Sequence, residues 1–140
     1  MKNKNKINIM LVILWMILIF IMSSYNGDNS SNQSNFIVDI ISNIFNINNI
    51  EILSLIIRKL AHFTEYFILG LLVYNMIHNL NKNKYLSIII CILYAISDEI
   101  HQIFVPGRNC HIIDILIDSI GSITGIYLLY LIYKNIPKKK

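Results

Sequence analysis

Ionisable residues lie within three stretches of this chain that are otherwise apolar enough to cross a membrane. An acid or a histidine in an apolar transmembrane helix is energetically costly, so it faces the interior of the protein or a water-filled cavity. Three such stretches between residues 58 and 125 therefore indicate a functional site inside a membrane protein. Their sequences are RKLAHFTEY at 58–66, SDEIHQIFVPGR at 97–108 and DILIDSIG at 114–121.

The composition supports a membrane location. Hydrophobic residues make up 55% of the 140 residues and charged residues only 14%, whereas a soluble domain averages about 25% charged residues. An ordinary soluble domain is therefore excluded. The chain is predicted to be all-α, an integral membrane four-helix bundle with an additional amphipathic helix at the outer interface. Its two cysteines, Cys91 in an apolar run and Cys110 in a loop, predict neither a disulfide nor a metal-binding Cys motif.

The hydrophobic pattern divides the chain into four parts. Residues 1–24 are predicted to form a first transmembrane helix that is retained, since no small-residue cleavage site follows its apolar run. Residues 25–57 are predicted to be an outer loop and, from about residue 36, an amphipathic segment in the membrane interface. Residues 58–133 are predicted to contain three more transmembrane helices, and residues 134–140 a basic cytoplasmic tail. The three helices are predicted from Arg58 to about His78, from Tyr85 to about Phe104 and from about His111 to Tyr133.

The basic residues predict the orientation in the membrane. Only Arg58, Lys59 and Arg108 fall on the side away from the termini. By the positive-inside rule, both termini are predicted to be cytoplasmic and the protein to be multi-pass in the bacterial plasma membrane. The net charge of +4 is thus a topology signal, and no nucleic-acid partner is predicted. The basic residues on the side of the termini are Lys2, Lys4, Lys6, Lys82, Lys84, Lys134, Lys138, Lys139 and Lys140.

Helical spacing and depth predict that ionisable side chains of different helices meet. Arg58, His62 and Glu65 are spaced i, i+4, i+7, and Asp98 and His101 are spaced i, i+3, so each set shares one helix face. At about 1.5 Å of rise per residue, these residues lie in the outer third of a hydrocarbon core about 30 Å thick. The helices therefore deliver polar groups to one layer.

The last predicted helix carries its acids on one stripe with small residues. Asp114, Asp118, Gly121 and Gly125 are spaced i, i+4, i+7, i+11, and small residues let helices approach closely in lipid. The acids are therefore predicted to face protein. The candidate polar cluster for ligand binding comprises Arg58, His62, Glu65, Asp98, Glu99, His101, Arg108, Asp114 and Asp118.

Residue chemistry allows three interpretations of this cluster. A buried charge network could serve only to fix helix register. The pairs His62/Glu65 and Asp98/His101 have the spacing of carboxylate-bridged metal sites in bundles. However, neither His-Glu-x-x-His nor His-x-x-Glu-His occurs, so no metal and no cofactor is predicted. The favoured interpretation is a polar pocket in which Arg108 holds a phosphate or carboxylate and a histidine moves protons. These patterns leave open whether a reaction is catalysed.

The same residues resemble the motifs of the VanZ-like family of bacterial membrane proteins. The resemblance covers about residues 55–130, whereas residues 1–54 match only as a generic first span and loop. The matching strings are Arg-Lys-x-x-His-Phe-x-Glu-Tyr at 58–66 and Ser-Asp-Glu-x-His-Gln-x-Phe-Val-Pro-Gly-Arg at 97–108, followed by Asp114, Asp118, Gly121 and Gly125.

The resemblance implies a role in the cell envelope. The family is named for a glycopeptide-resistance component that lowers susceptibility to teicoplanin without placing D-lactate in the cell-wall precursor. We therefore expect a protein that lowers susceptibility to teicoplanin-type antibiotics through an outer-leaflet polar pocket, with the lipid bilayer and a lipid or glycopeptide-type ligand as partners. One alternative is an intramembrane enzyme acting on a lipid or polyprenyl headgroup. The other is a structural membrane protein whose buried charges only fix helix packing. The resemblance assigns no catalytic residue.

Overall fold

The computed structural model describes residues 2–25, 37–44 and 49–135 of the chain. Regular structure within these residues is entirely helical, which confirms the predicted all-α class. The helices in chain order are α1 (Lys2–Ser23), α2 (37–44), α3 (Ile50–Asn79), α4 (Tyr85–Gln102) and α5 (Ile112–Asn135).

Three of the described helices, α1, α3 and α5, are long and apolar enough to cross a membrane. The described chain is therefore that of a helical membrane protein. α4 is not among the three, because its 18 residues end in the polar side chains Asp98, Glu99, His101 and Gln102. The predicted fourth span, and with it the four-helix membrane bundle, stays a prediction.

α3 begins before the predicted start of the second span at Arg58. Asn49 caps its N-terminus, where the Asn49 side chain accepts a hydrogen bond from the Ile52 N–H at 3.2 Å. No glycine or proline interrupts residues 50–57, so the helix continues through Arg58 without a break. Its 30 residues extend about 45 Å. This length exceeds a hydrocarbon core of about 30 Å, so α3 extends past the core or tilts within it.

The predicted amphipathic segment 36–57 is divided in the structure. Residues 37–44 form α2, in which Val38 is fully buried and three isoleucines are exposed. Residues 50–57 belong to α3 instead. The loop predicted before the segment and residues 45–48 lie outside the described residues. The interfacial position of α2 stays a prediction.

α3 lies at the centre of the structure and contacts α1, α4 and α5. Its contact with α5 is the most extensive in the described chain. The apolar core consists of buried side chains from all four long helices. The apolar face of each helix points inward, because burying it removes it from its surroundings. The core includes Tyr66, Leu69, Val73 and Ile77 of α3, Val12 and Ile19 of α1, Cys91 and Ala95 of α4, and Ile126 of α5.

Three glycines, Gly70 of α3 and Gly121 and Gly125 of α5, hold the two helices at close approach, and we call this line of contact the glycine seam. A Cβ atom at Gly121 would lie 2.5 Å from the Phe63 carbonyl oxygen, and one at Gly125 would overlap the Phe67 carbonyl oxygen. Neither position therefore admits a side chain. The prediction that this stripe faces protein is confirmed, and the partner is a helix of the same chain.

Gly121→Ala is expected to lower the free energy of unfolding by about 1–3 kcal/mol, the usual cost of overpacking. The added methyl group meets a backbone carbonyl, which cannot rotate away as a side chain can. Thermal denaturation of the purified protein in detergent, followed by circular dichroism, measures the change in Tm. Thr124→Leu adds more volume on the exposed side of the same helix and is the matched control. Equal Tm values for Gly121→Ala and the unmodified protein would contradict the close approach of α3 and α5.

Candidate functional site

Polar side chains from α3, α4 and α5 meet at one end of the structure. The middle of α3, the last turns of α4 and the first turns of α5 supply them. The structure brings together five of the nine predicted residues, and we call these five the acid–histidine group. Its members are His62, Glu65, Asp98, Glu99 and Asp118. Their role in ligand binding stays a prediction.

His62, Glu99 and Asp118 lie closest together, one from each helix. The His62 Nδ1 atom is 3.3 Å from Asp118 Oδ1, which is ion-pair distance, although the ring is not aligned for a hydrogen bond. One potential ligand atom from each of the three side chains lies within 4.8 Å of the other two. Glu99 and Asp118 are fully buried, and the His62 side chain is 12% exposed.

The two adjacent acids of α4 are each held through one oxygen. Asp98 Oδ2 accepts a hydrogen bond from Gln102 Nε2 at 3.3 Å. Glu99 Oε2 accepts one from the backbone N–H of His111 at 2.9 Å. The second bond ties the end of α4 to the residue before α5, so it fixes where α5 begins. The other oxygen of each acid has no hydrogen-bond partner among the residues that the structure describes.

Asp114 is paired with a residue that the sequence analysis did not place in the cluster. Its Oδ1 forms an ion pair with Lys59 Nζ, and Asp114 itself is buried. The sequence analysis placed Lys59 in the family motif and among the basic residues that set topology, but not in the polar cluster. Its position beside Arg58, at the depth predicted for Asp114, is the signal that would have suggested the pair.

Arg108 contacts the end of α1 and not an acid. Its Nε donates a hydrogen bond to the Tyr25 carbonyl oxygen at 2.9 Å, and its Nη2 donates one to the Met22 carbonyl oxygen at 3.4 Å. Carbonyl oxygens at this end carry the negative end of the α1 dipole. The Met22 oxygen also accepts a hydrogen bond from the Tyr25 N–H at 3.4 Å. Burial, followed by repulsion from Arg58, lowers the pKa of Arg108 from its ordinary value. Arginine keeps its charge under all physiological conditions.

His101 also contacts α1 and is not one of the five residues of the acid–histidine group. Its Nε2 is 3.0 Å from Ser24 Oγ, and its ring lies 4.4 Å from the Phe20 ring, centroid to centroid. Asp98 and His101 share one helix face, as predicted, but they contact different residues: Asp98 accepts a hydrogen bond from Gln102, and His101 contacts Ser24. The loop residue Arg108 and His101 together fasten α1 to the α4–α5 end of the structure.

Two adjoining cavities open beside the acid–histidine group, and Arg58 and Arg108 line both. The first, the helix cavity, has a volume of about 180 Å³. The second, the loop cavity, has a volume of about 150 Å³. The polar side of the helix cavity also includes His62, Glu65 and Asp98, and its apolar side Met22, Ile37, Ile57 and Ala61. The loop cavity also includes Gln102, Gly107, Asn109, His111 and Asp114.

The fold and the site define an all-helical membrane protein with buried ionisable side chains between its helices. The family model described as VanZ/LLP1 matches residues 8–133. The chain therefore belongs to the VanZ/LLP1 family, which confirms the resemblance seen in its motifs and extends it to α1. No curated protein and no solved structure matches the chain.

Lys59→Met is expected to lower the free energy of unfolding by about 1–3 kcal/mol, because it leaves the buried Asp114 without its partner. Adding Asp114→Leu should restore most of the loss, since removing both partners of a buried pair is often neutral. Chemical denaturation of the four proteins of this double-mutant cycle measures the coupling. Arg58→Met, at an exposed neighbouring position, is the control. Equal losses in Lys59→Met and Arg58→Met would contradict the ion pair.

Proposed function

We propose that this VanZ/LLP1 protein binds the anionic headgroup of a lipid at the outer face of the bacterial plasma membrane. By doing so it lowers susceptibility to teicoplanin-type glycopeptides. The observation that carries the proposal is the presence of Arg58 and Arg108 on the border shared by the helix and loop cavities. A guanidinium group binds phosphate or carboxylate through two parallel hydrogen bonds, so two arginines can hold one such group.

Arg58 is the arginine available to a ligand. It is exposed and forms no salt bridge with any residue in the described ranges. Arg108 has three further N–H donors beyond the two that contact α1, since a guanidinium carries five. A bound phosphate would therefore meet one mobile guanidinium and one that is held in place.

The cavity volumes favour a headgroup over an antibiotic. They are about 180 and 150 Å³, whereas sites that enclose drug-sized molecules measure about 300–1,000 Å³. A phosphate-bearing headgroup fits this space and a glycopeptide antibiotic does not. Lowered susceptibility then follows from the bound lipid and not from capture of the drug.

The surroundings of the helix cavity suit a lipid. Its apolar side, formed by residues of α1, α2 and α3, can contact acyl chains while the arginines hold the headgroup. Its position at the outer face is supported by the uneven distribution of lysines, which are concentrated on the side of the termini.

The native cysteines allow a test of the orientation. Cys110 is exposed in the loop that carries Arg108, whereas Cys91 is buried. A membrane-impermeant maleimide is expected to label Cys110 on intact cells. Partial desolvation, followed by the nearby Glu99 carboxylate, raises the pKa of the Cys110 thiol. Because maleimide reacts with the thiolate, labelling should accelerate as the pH rises from 7 to 8.

Two variants control the labelling. Cys110→Ser should abolish the signal, since Cys91 is inaccessible. Lys82→Cys in that background places a thiol in the α3–α4 turn at the opposite end, and it should react only after the cells are opened. The proposed orientation would be reversed if intact cells label the Lys82→Cys variant but do not label Cys110 of the unmodified protein.

Arg58→Gln is expected to weaken binding of short-chain phosphatidic acid by about 10–100-fold, because it removes a charged hydrogen-bonding group worth about 1.5–3 kcal/mol. Thermal shift of the purified protein against lipid concentration measures the affinity. Lys82→Gln, which removes a positive charge at the opposite end, is the control. The affinity should remain unchanged in Lys82→Gln and for phosphatidylcholine in every variant.

The cellular test uses a strain that lacks the gene and is complemented with each variant. The unmodified gene should raise the inhibitory concentration of teicoplanin and leave that of vancomycin unchanged, whereas Arg58→Gln should abolish the rise. Membrane accumulation is measured for each strain. The proposal is wrong if Arg58→Gln raises the inhibitory concentration of teicoplanin as much as the unmodified gene does. It is also wrong if the unmodified protein accumulates normally in the membrane and does not raise it.

An intramembrane enzyme acting on the same headgroup is the second candidate. The contact between His62 and Asp118 favours it, because a carboxylate beside an imidazole supports proton transfer to or from a ligand. His62 also lines the helix cavity, so its ring can reach a bound group. Release of phosphate from phosphatidic acid by the purified protein, and its loss in His62→Gln with lipid binding retained, would distinguish an enzyme from a binding protein.

A further inference from the structure

Glu99 and Asp118 are fully buried acids whose negative charge has little compensation in the described chain. Both oxygens of Asp118 and the Oε1 atom of Glu99 have no hydrogen-bond partner among the described residues. His62 Nδ1, beside Asp118, likewise has none there. A buried carboxylate left without a partner is strongly unfavourable.

Apart from Arg58, which is exposed at the cavity border, the neighbouring basic side chains contact other groups. Lys59 pairs with Asp114, and Arg108 donates to carbonyl oxygens at the end of α1. His101 contacts Ser24 and Phe20. Within the described residues, His62 is therefore the remaining basic side chain in contact with Asp118. A single imidazole cannot neutralise two fully buried carboxylates.

We infer that His62, Glu99 and Asp118 form a binding site for a divalent transition-metal ion, with Zn²⁺ as the best match. The site joins α3, α4 and α5 through one ligand each. An imidazole with two carboxylates is a ligand set suited to Zn²⁺, whereas sites for Mg²⁺ and Ca²⁺ consist of oxygen ligands alone. The ion supplies the positive charge that the buried acids lack.

The spacing of the side chains agrees with this assignment. Two ligands bound tetrahedrally at about 2.1 Å from a zinc ion lie about 3.4 Å apart. His62 Nδ1 and Asp118 Oδ1 are 3.3 Å apart. The three potential ligand atoms lie within 4.8 Å of one another, so shortening their separations by no more than about 1.4 Å brings the set to tetrahedral spacing.

Three protein ligands leave a fourth position of a tetrahedral zinc ion open, as in catalytic zinc sites. His62 also lines the helix cavity, so the site borders the space in which a ligand is proposed to bind. The sequence-based prediction of no metal considered the pairs His62/Glu65 and Asp98/His101. The three-residue site in the structure is a different set. It consists of His62 from α3, Glu99 from α4 and Asp118 from α5. This set has no signature in sequence spacing.

The test uses the full chain in detergent with a tag that contains no histidine. After dialysis against EDTA, isothermal titration with ZnCl₂ is expected to show one site per chain. Loss of a residue that only hydrogen-bonds to a metal ligand weakens metal binding by about 10–100-fold. Glu99→Gln and Asp118→Asn remove ligands themselves, so each is expected to weaken Zn²⁺ binding by more than this. Mg²⁺ and Ca²⁺ should bind far more weakly. No lipid is present, so failure of the lipid proposal would leave this result unchanged.

Glu51→Gln is the matched control, because it makes the same change at an exposed position in the first turn of α3. Its Zn²⁺ affinity should equal that of the unmodified protein. An unmodified protein that folds and binds no Zn²⁺ would overturn the inference. Unchanged affinity in both Glu99→Gln and Asp118→Asn would do the same.

Stability separates a metal site from a charge network that only fixes helix packing. In EDTA, Asp118→Asn should be at least as stable as the unmodified protein, because it removes an uncompensated buried charge. In Zn²⁺, the Tm of the unmodified protein should rise while that of Asp118→Asn stays constant. If Asp118→Asn lowers the Tm by the same amount in EDTA and in Zn²⁺, the carboxylate serves packing and the metal site is refuted.

Discussion

The close backbone approach of α3 and α5 is the constraint on which the rest of the structure depends. Packed helices usually lie about 8–10 Å apart, and an approach closer than that needs positions without side chains. Gly121 provides such a position against Phe63. His62 adjoins Phe63 in sequence and Asp118 lies one helical turn before Gly121, so the same contact brings imidazole and carboxylate to 3.3 Å. The close approach of α3 and α5 thus determines both the geometry of the site and the packing of the core.

The acids of this region divide into those that the protein satisfies and those that it does not. Lys59 pairs with Asp114, and the His111 N–H and Gln102 each satisfy one oxygen of an α4 acid. Each of these three acids therefore has at least one donor from a nearby residue. Asp118 is fully buried against α3 and has no hydrogen-bond partner among the described residues, with only the His62 ring at ion-pair distance. An ionisable residue buried in a membrane protein without a donor is a candidate functional residue.

The sequence predicted which helix faces would meet, but not which side chains would pair. Periods of three and four residues place His62 and Asp118 on inward faces, and depth places them in one layer, because a helix has fixed rise and rotation. The partner of Arg108 was not predictable in the same way. Its side chain donates to carbonyl oxygens of Tyr25 and Met22 at the end of α1, a contact that helical spacing does not encode. The start of α3 was placed too late, because Asn49 was not interpreted as a helix cap.

The charges at the site link the two proposals through a common physical condition. An anionic headgroup that enters the helix cavity approaches Glu65 and Asp98 on its wall and Glu99 and Asp118 behind them. Repulsion between a phosphate and these carboxylates grows as the surrounding dielectric falls. The two arginines that line the cavity offset part of it. A divalent cation held by His62, Glu99 and Asp118 would cancel the two carboxylate charges. Its open coordination position could then accept a phosphate oxygen that the acids alone would repel.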